Sequence, residues 1–471
     1  EGEHSYLFSY STEKVMISMM VGIFEDHKIR NFYPLTLLRP IYDLRVGIKT
    51  NRERIVESFE HDVVCVYMRE YLKDLYNLKY GSEEEEYLIN KEGELDSETI
   101  LINGRLVLNK KTRENLKKFI EKDNIVVLSG GDIVLIKITE SVARKIENFL
   151  LKPLDEKKVK ELKKIIGNHV EIPRKSIAMP EYLWDMVNMN ADLIREDLEE
   201  RYVGKEWRAK YVDERVAVLG EERLVYLDEG VEVEPYVVFN TKSGPIYVGK
   251  DTRIQAGARI EGPTYIGQKN IVVGGAQIRE GSNLGDVCRA GGELEETIVL
   301  GYTNKYHLGY IGHAYIGEWV NIGAATNNSD LKNTYGTVRV TMRGRRIDTG
   351  ILKVGCFIGD MVKTSLGVQI YTGKNIGVSS HLHGIVYENV PSFTIYAKSL
   401  GVEPVELILE SAIETQRRMM SRRGLTLTKE EIDVIRKVYE MTAEDRKQAG
   451  VKKERFKLAW IKIANPHSLI P

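Results

Sequence analysis

One segment of the chain, residues 304–329, carries side chains whose types and spacing could support acid–base chemistry. It reads NKYHLGYIGHAYIGEWVNIGAATNNS and contains His307, Tyr310 and Asn321, with no acidic residue beside the histidine. A histidine with an ordinary pKa near ~6.5 can accept a proton at neutral pH. Because most surface histidines have no catalytic role, His307 is either a general base or an ordinary turn residue.

A second pair of histidines, His381 and His383, lies in SSHLHG. Residues two apart on a strand share a face, so the pair could in principle approach one metal ion. Two ligands do not make a metal site, since zinc usually takes three or four protein ligands. We expect both side chains to face solvent, and the sequence leaves any metal ligand unknown.

A repeat with a six-residue period must position these side chains. From residue 248 onward, apolar residues recur at every sixth position, and glycine often follows them. The first run is Val248, Ile254, Ile260, Ile266, Val272, Ile278 and Leu284, and the spacing returns at Ile316, Ile322, Leu352, Ile358, Ile370, Ile376 and Leu382. Neither a helix nor an ordinary strand has this period. The hexapeptide repeat predicts a left-handed parallel β-helix, a triangular prism in which each aliphatic residue points inward.

The segments on either side of the repeat have different patterns. Residues 20–212 alternate short apolar strands (65–68, 124–129 and 132–138) with charged helical stretches, which is typical of a three-layer α/β domain. We therefore predict an extension at 1–19, an α/β domain at 20–212, a β-helix at 213–400 and helices at 401–471. Two amphipathic helices are expected after the prism, the first ending at Gly424.

The bulk properties limit the class of protein. A chain of 471 residues is long enough for two or three domains. The formal net charge of -1 gives no indication of a nucleic-acid or membrane partner, and no apolar run approaches the ~20 residues that span a bilayer. Three dispersed cysteines argue against a disulfide framework, and a reducing cytoplasm is expected. The first residues do not read as a signal peptide.

The segment at 304–329 resembles the acetyltransferase half of the bifunctional UDP-N-acetylglucosamine pyrophosphorylase and glucosamine-1-phosphate N-acetyltransferase family. HLGYIG at 307–312, NIGAATNNSD at 321–330 and IREG at 278–281 carry the likeness. The resemblance implies that His307 is the catalytic base, that Tyr310 and Asn321 hold the amine, and that Arg279 grips a phosphate. Acetyl-CoA would then be the co-substrate.

The remaining acetyltransferase residues are expected from the same resemblance. Ala324 and Val378 would line the path of the pantetheine arm, and Lys398 would meet a phosphate of CoA. Two positions depart from the family pattern. Glu295 stands where a phosphate-binding lysine is expected, and Lys332 could restore the positive charge.

The N-terminal domain resembles the sugar-1-phosphate nucleotidyltransferases of the same family, in a divergent branch. FYPLTLLRPIYDLRVG at 32–47 carries the likeness, and it implies that Arg39 and Arg45 face the triphosphate and the sugar phosphate. The alternative is that both arginines simply pair with Asp43 and nearby acids. The usual glycine-rich loop is absent at 24–31, and Asn103 occupies the position of a Mg²⁺-binding aspartate, for which it is a poorer ligand.

These features together predict a cytoplasmic homotrimer that uses Mg²⁺. It would N-acetylate an amino-sugar 1-phosphate, glucosamine 1-phosphate being the best candidate, and then transfer a nucleotidyl group from an NTP to the product. Three alternatives stay open. The chain is a nucleotidyltransferase with a scaffold prism, an acetyltransferase with an inactive N-terminal domain, or a non-catalytic sensor of sugar nucleotides.

Overall fold

The N-terminal domain is built on one seven-stranded sheet. The computed structural model describes residues 19–61, 63–81, 87–91, 95 and 97–456, so the predicted extension lies almost wholly outside the described residues. The strands of this domain, including a small hairpin (β2 and β3), are β1 (Met19–Phe24), β2 (Arg45–Val46), β3 (Lys49–Thr50), β4 (Val63–Val66), β5 (Tyr87–Ile89), β6 (Glu98–Asn103), β7 (Ile125–Ser129), β8 (Asp132–Ile138) and β9 (Asn168–Glu171). The sheet order is β5-β4-β1-β6-β8-β7-β9, and only β8 runs antiparallel to its neighbours.

Helices cover both faces of this sheet and follow the prism. They are α1 (Asn51–Glu57), α2 (Lys73–Tyr80), α3 (Lys110–Ile120), α4 (Glu140–Leu150), α5 (Glu156–Ile166), α6 (Leu183–Arg201), α7 (Leu409–Ser421), α8 (Lys429–Met441) and α9 (Ala443–Gln448). Short 3-10 helices span His27–Phe32, Ile41–Asp43, Glu70–Leu72, Arg174–Ser176, Glu222–Leu224 and Lys398–Leu400. Reciprocal capping boxes start α1 and α8, where Thr50 and Thr428 cap the backbone three residues ahead.

Residues 211–397 form the prism, a parallel β-helix with three faces. Face one contains Tyr211–Val212, Glu232–Val233, Arg253–Ile254, Ile271–Val272, Arg289–Ala290, Asn304–Lys305, Lys363–Thr364, His381–Leu382 and Thr394–Ala397. Face two contains Ala217–Leu219, Val238–Asn240, Arg259–Glu261, Gln277–Ile278, Glu293–Glu295, Tyr310–Gly312, Asn327–Asn328, Gln369–Ile370 and Ile385–Val386. Face three contains Val225–Leu227, Ile246–Val248, Thr264–Ile266, Asn283–Leu284, Ile298–Val299, Tyr315–Ile316, Phe357–Ile358 and Asn375–Ile376.

The six-residue spacing places one aliphatic side chain per strand inside the prism. The first run of seven apolar residues, from Val248 to Leu284, is at most 1% exposed. Each coil stacks on the next through parallel pairing, as when Ile260 lies beside Ile278. The predicted fold class, an α/β domain followed by a β-helix and C-terminal helices, is therefore confirmed.

Two details of the repeat and one of the C-terminal helices differ from the prediction. The first strand pair of the prism begins at Tyr211, because residues 211–212 pair with 232–233 before the six-residue spacing is regular. Leu352 is 53% exposed rather than inward, since it belongs to an insertion at 329–353 that carries the hairpin Arg339–Met342 and Arg345–Asp348. The second predicted C-terminal helix is divided at Thr442 into α8 and α9.

The N-terminal domain packs against face three of the prism. Helix α6 contributes Trp184, whose ring lies 6.2 Å from that of Phe357, and Asn190, whose side chain donates to the carbonyl of Gly281 at 2.9 Å. Tyr315 donates to the carbonyl of Arg45 at 2.8 Å. Buried apolar residues of the α/β domain, face three, the hairpin and the C-terminal helices form one continuous cluster. The three parts of the chain therefore share a single core across their boundaries.

Candidate active sites

A cleft with a volume of about 820 Å³ lies at the carboxyl edge of the N-terminal sheet. We call it the edge cleft. Part of its lining follows the carboxyl ends of β1, β4 and β5, and open α/β sheets bind ligands outside the carboxyl ends of their strands. Five cationic side chains line it, namely Arg30, Arg69, Lys73, Lys152 and Arg343, against the carboxylates of Glu70 and Asp155. This charge balance suits an anionic ligand.

The loop that follows β1 is held over this cleft by Arg69. Its guanidinium pairs with Glu25 at 3.0 Å and donates to the carbonyls of Thr36 at 2.5 Å and Arg39 at 2.6 Å. The carboxylate of Glu25 also accepts from the backbone N–H of Ile41. Neither Arg69 nor Arg30 was predicted from the sequence. The only sequence feature that could have indicated them is their position just after the parallel strands β1 and β4.

A smaller pocket beside the edge cleft contains Asn103 and two carboxylates. Arg105, whose side chain is fully buried, pairs with Asp26 at 2.6 Å and with Asp132 at 2.8 Å. The amide of Asn103 donates to Asp26 at 2.8 Å, and its oxygen accepts from the N–H of Arg105. A cation at this point would have to displace Arg105 from both carboxylates. The residues present do not fit a preformed Mg²⁺ site, and no cluster of three metal-ligating residues occurs in the described ranges.

Arg39 and Arg45 lie at the contact between the N-terminal domain and the prism. Arg39 forms a two-pronged ion pair with Asp360 of the prism, at 2.7 and 3.1 Å, and a third contact with Glu318 at 3.2 Å. Arg45 donates to the carbonyl of Ile48 and lies over the ring of Tyr265. Neither arginine pairs with Asp43, because Arg52 occupies that carboxylate at 2.7 Å, but Arg39 does pair with other acids as the alternative expected.

Face two of the prism brings together the residues expected to bind the amino sugar. Parallel pairing places Glu293 between Gln277 and Tyr310, with the intervening aliphatic residues inward. Arg279 therefore projects outward beside Glu295, at 3.0 Å, and its guanidinium also contacts Glu293 at 3.3 Å. Its positive charge is already compensated by carboxylates within the same face.

Tyr310 is the centre of a hydrogen-bonded network that the sequence analysis did not foresee. Its hydroxyl lies 2.9 Å from Glu295 and 2.8 Å from Asp330, and His313 Nδ1 lies 2.8 Å from the same Asp330 oxygen. Burial raises the pKa of Tyr310, and its two carboxylate partners add to that shift. Burial opposes ionisation of Glu295, yet hydrogen bonds from Tyr310 and Lys353 hold its pKa below the usual range.

Besides Arg279, the cation that compensates Glu295 is Lys353, at 3.2 Å, and not Lys332. Lys332 instead donates to the carbonyl of Thr337 at 2.7 Å, within the inserted segment. Lys353 follows the hairpin and reaches face two because residues 331 and 353 form an antiparallel bridge. Nothing in the local sequence around Lys353 indicated this contact.

His307 and Asn321 lie off face two. His307 is exposed in the corner that joins face one to face two, three residues before Tyr310. Asn321 belongs to face one, where it bridges to residues 304 and 363 and its side chain lies 3.4 Å from that of Asn304. Lys305 fixes the corner from beneath, since its buried ammonium donates to the carbonyls of Gly291 at 2.9 Å and His307 at 2.6 Å. Burial lowers the pKa of Lys305 to about 8.

The three residues expected to bind acetyl-CoA are dispersed. The carbonyl of Ala324 accepts from Gly367 within the prism, and Lys398 pairs with Glu388 at 3.0 Å near the C-terminal end of the prism. Val378 is 0% exposed in the core shared with the N-terminal domain, so its side chain is covered in the single chain.

His381 and His383 are partly buried, so the expectation that they face solvent was wrong. The ring of His383 stacks on Phe456 at 5.4 Å, and burial lowers the pKa of both histidines, that of His381 to about 4. The chain beyond the prism folds back over this face, which the local pattern SSHLHG does not reveal.

Comparison with known proteins agrees with the N-terminal architecture. Residues 21–204 match the family model of sugar nucleotidyl transferases. This match assigns a sugar nucleotidyl transferase domain to the N-terminal part of the chain. It covers nearly all of the seven-stranded sheet, helix α6 and the edge cleft apart from Arg343 and Met441, and it leaves the prism and the C-terminal helices outside.

Three curated proteins are similar over shorter stretches. A bifunctional sugar-1-phosphate nucleotidylyltransferase/acetyltransferase of Sulfurisphaera tokodaii is 35% identical over 91 residues, 19% of this chain and 23% of that protein. A bifunctional protein GlmU of Methanocaldococcus jannaschii is 32% identical over 18% of this chain and 21% of its own length. A bifunctional protein GlmU of Bordetella parapertussis is 25% identical over 225 residues, 44% of this chain and 47% of its own. The resemblance to this bifunctional family is thereby confirmed, at low identity and over part of each chain.

The alignment with the first two relatives spans only about a fifth of their length. Among solved structures, UDP-N-acetylglucosamine acyltransferase of Francisella novicida matches 52% of this chain and 84% of its own at 14% identity. The TM-score is 0.27, which is too low for that match to bear on the fold. No helix in the described ranges has the length and apolarity needed to cross a membrane.

Proposed function

We propose that the chain is a bifunctional enzyme of sugar-nucleotide synthesis. Its N-terminal domain transfers a nucleotidyl group from an NTP to a sugar 1-phosphate, and its prism N-acetylates an amino-sugar 1-phosphate with acetyl-CoA. The observation that carries the proposal is the cationic edge cleft, at the carboxyl ends of parallel strands in a domain that matches sugar nucleotidyl transferases. The names of the matched relatives support the second activity.

In the first reaction, a phosphate oxygen of the sugar 1-phosphate attacks the α-phosphorus of the NTP. The bond to the β-phosphate breaks and pyrophosphate leaves, so negative charge must be stabilised along the whole cleft. Arg30, Lys73 and Lys152 supply that charge, while Arg69 holds the loop above it. We assign Mg²⁺ to the incoming triphosphate, because Asp26 and Asp132 are neutralised by Arg105.

In the second reaction, the sugar amine attacks the thioester carbonyl and the thiolate of CoA leaves. His307 accepts the proton lost by the amine, with Tyr310 and Asn321 on the two faces that flank it. Because the histidine is exposed in a single chain, we propose that a homotrimer in the cytoplasm encloses it between adjacent prisms. Ala324, Val378 and Lys398 remain the proposed CoA contacts on this model.

One observation favours a second candidate, in which only nucleotidyl transfer occurs. Arg279 is surrounded by Glu280 at 3.2 Å, Glu293 at 3.3 Å and Glu295 at 3.0 Å. A phosphate approaching this arginine meets three carboxylates, which repel it. In this candidate the prism is a scaffold for the N-terminal domain.

A coupled assay on the purified chain separates the two candidates. Acetyl-CoA and glucosamine 1-phosphate are added with Mg²⁺ and free thiol is followed, and UTP or dTTP is then added and pyrophosphate is followed. We expect His307→Ala to lower thiol release by about 10²–10⁴-fold, the usual contribution of a general base, and to leave pyrophosphate release intact. Arg30→Ala should lower pyrophosphate release and leave thiol release intact.

The matched control is His169→Ala, which changes an exposed histidine on β9, away from both sites. It should leave both activities unchanged. Thiol release that survives His307→Ala refutes the assignment of the base. Pyrophosphate formed from an acetylated sugar 1-phosphate, with no thiol released from any amino sugar, establishes the scaffold candidate instead.

A further inference from the structure

A second cavity lies where the N-terminal domain, the prism and the C-terminal helices meet. Its volume is about 250 Å³, and we call it the junction cavity. One wall is formed by helix α2 with Leu38, Arg39 and Asp43. A second is formed by Glu318, Trp319 and Asp360 of the prism, and Gln416 of α7 and Ile435 of α8 complete the cavity. Neither proposed reaction uses this space.

The two arginines of the junction cavity are already paired, and Lys79 is exposed at its edge. Arg39 is held by Asp360 and Glu318, and Arg52 pairs with Asp43 at 2.7 Å while donating to the hydroxyl of Tyr80 at 2.8 Å. A phosphate entering here would have to compete with carboxylates already in place. The cavity therefore does not suit the anionic ligands that the edge cleft suits.

One polar atom of the wall has no partner. Gln416 is 3% exposed, and within the described part of the chain its Oε1 accepts no hydrogen bond. Buried side-chain oxygens are nearly always paired, so an unpaired one at a cavity wall indicates a missing donor. A ligand with an N–H or O–H group would supply it.

The rest of the wall combines apolar surface with further acceptors. Trp319 is 8% exposed and stacked on Tyr302 at 4.3 Å, and Met361, Met420 and Ile435 provide aliphatic surface. Glu318 presents a partly exposed carboxylate. A ligand that fits must be small and uncharged, rich in donors, and apolar on one side.

We propose that the junction cavity binds a neutral monosaccharide carrying an N-acetyl group. Its amide N–H or a hydroxyl donates to Gln416, its other hydroxyls donate to Glu318, and its methyl group contacts the methionines. Such a ligand touches all three parts of the chain at once and so stabilises their junction. The inference does not depend on the activity of either proposed site.

Isothermal titration of the full chain with N-acetylglucosamine tests this proposal. We expect saturable binding that Gln416→Leu weakens by at least tenfold, because leucine cannot accept a hydrogen bond. Gln416→Glu keeps an acceptor at the same position and should retain binding, and Gln448→Leu, in the exposed part of α9, is the matched control. Glucosamine and inorganic phosphate, titrated in parallel, should bind more weakly than the acetylated sugar.

Hydrogen exchange on the unchanged protein supplies an independent measurement should Gln416→Leu fail to fold. Added N-acetylglucosamine should protect amides of α7 and α8 and leave those of the edge cleft unprotected. The proposal is overturned by the absence of saturable binding, by equal binding to Gln416→Leu, or by tighter binding of phosphate. It is equally overturned if Arg30→Ala, which alters the edge cleft, removes the binding. None of these results bears on thiol or pyrophosphate release, so the two proposals fail separately.

Discussion

The buried ammonium of Lys305 gives the folded chain a pH dependence that can be worked out from the structure. Lys305 is 2% exposed, it has no carboxylate partner among the described residues, and burial lowers its pKa from 10.5 to about 8. In the unfolded chain the same group titrates at its ordinary value near ~10.4. Between pH 8 and 10.5 the unfolded chain thus binds more protons than the folded one.

The sign follows from this difference in bound protons. Stability rises with pH wherever the unfolded state holds more protons, so the free energy of unfolding increases as the pH is raised from about 8 to about 10.5. One pKa unit corresponds to about 1.4 kcal/mol, so a shift of roughly 2.5 units gives about 3 kcal/mol over the window. Below pH 8 the folded state bears the full free-energy cost of burying the charged ammonium of Lys305.

The perturbation is Lys305→Met, which keeps an unbranched apolar side chain and removes the charge. The unfolding free energy of the variant minus that of the unchanged protein should fall by about 3 kcal/mol between pH 8 and 10.5, because the unchanged protein gains that stability and the variant does not. Two main-chain carbonyls lose a donor at every pH, each costing about 1 kcal/mol, so this loss offsets the gain without changing the slope. Only the pH dependence of the difference is diagnostic.

Denaturant unfolding of both proteins across the alkaline window measures the effect. Lys242→Met, at an exposed position of the same prism, is the matched control, and its difference from the unchanged protein should be independent of pH. A Lys305→Met difference that is also flat with pH would refute the reasoning, because the ammonium would then be hydrated in the folded state. In that case the stability difference would not vary with pH, even with both hydrogen bonds from Lys305 to the main-chain carbonyls in place.

Two further predictions concern the prism. Ile278→Ala removes a fully buried side chain from the stacked interior and should lower the free energy of unfolding by about 2–5 kcal/mol. Its control, Ile385→Ala, changes a side chain that is 42% exposed and should alter that free energy by about 0.5 kcal/mol or less. Denaturant midpoints of the two variants measure the difference. Burial raises the pKa of Glu296 from 4.5 to about 7, so its carboxylate destabilises the folded state progressively as the pH rises through that interval. Glu296→Gln should abolish that loss, and a Glu296→Gln protein that still loses stability between pH 4.5 and 7 by the same amount as the parent would contradict this account.

The repeat was predictable because its period is a local property. A six-residue spacing can satisfy only one geometry, and the inward positions of face two, such as Ile260 and Ile278, follow from it directly. The alternation of strands and helices in the N-terminal domain was predictable for the same reason. Leu352 shows where this reasoning fails, since an insertion can carry a residue in the right register and still leave it outside the prism.

The candidate sites were only partly predictable. Arg279 and Tyr310 were found through their motifs, and both lie on face two. The charged groups around them were not predictable. Lys353 lies 58 residues from Glu295 in the sequence, and the inserted hairpin brings the two together. His313 escaped notice because its partner Asp330 lies in the next coil.

The sequence by itself determined the α/β domain, the stacked prism and the positions on each coil that point inward or outward. These follow from backbone periodicity and the burial of apolar side chains, which act over a few residues at a time. Only the tertiary structure decided which charges meet. Arg39 pairs with Asp360 across 321 residues, and Gln416 reaches the cavity beside them from a helix after the prism. Electrostatic pairing depends on distance in space, and that distance is set only when the three parts of the chain bury their common core.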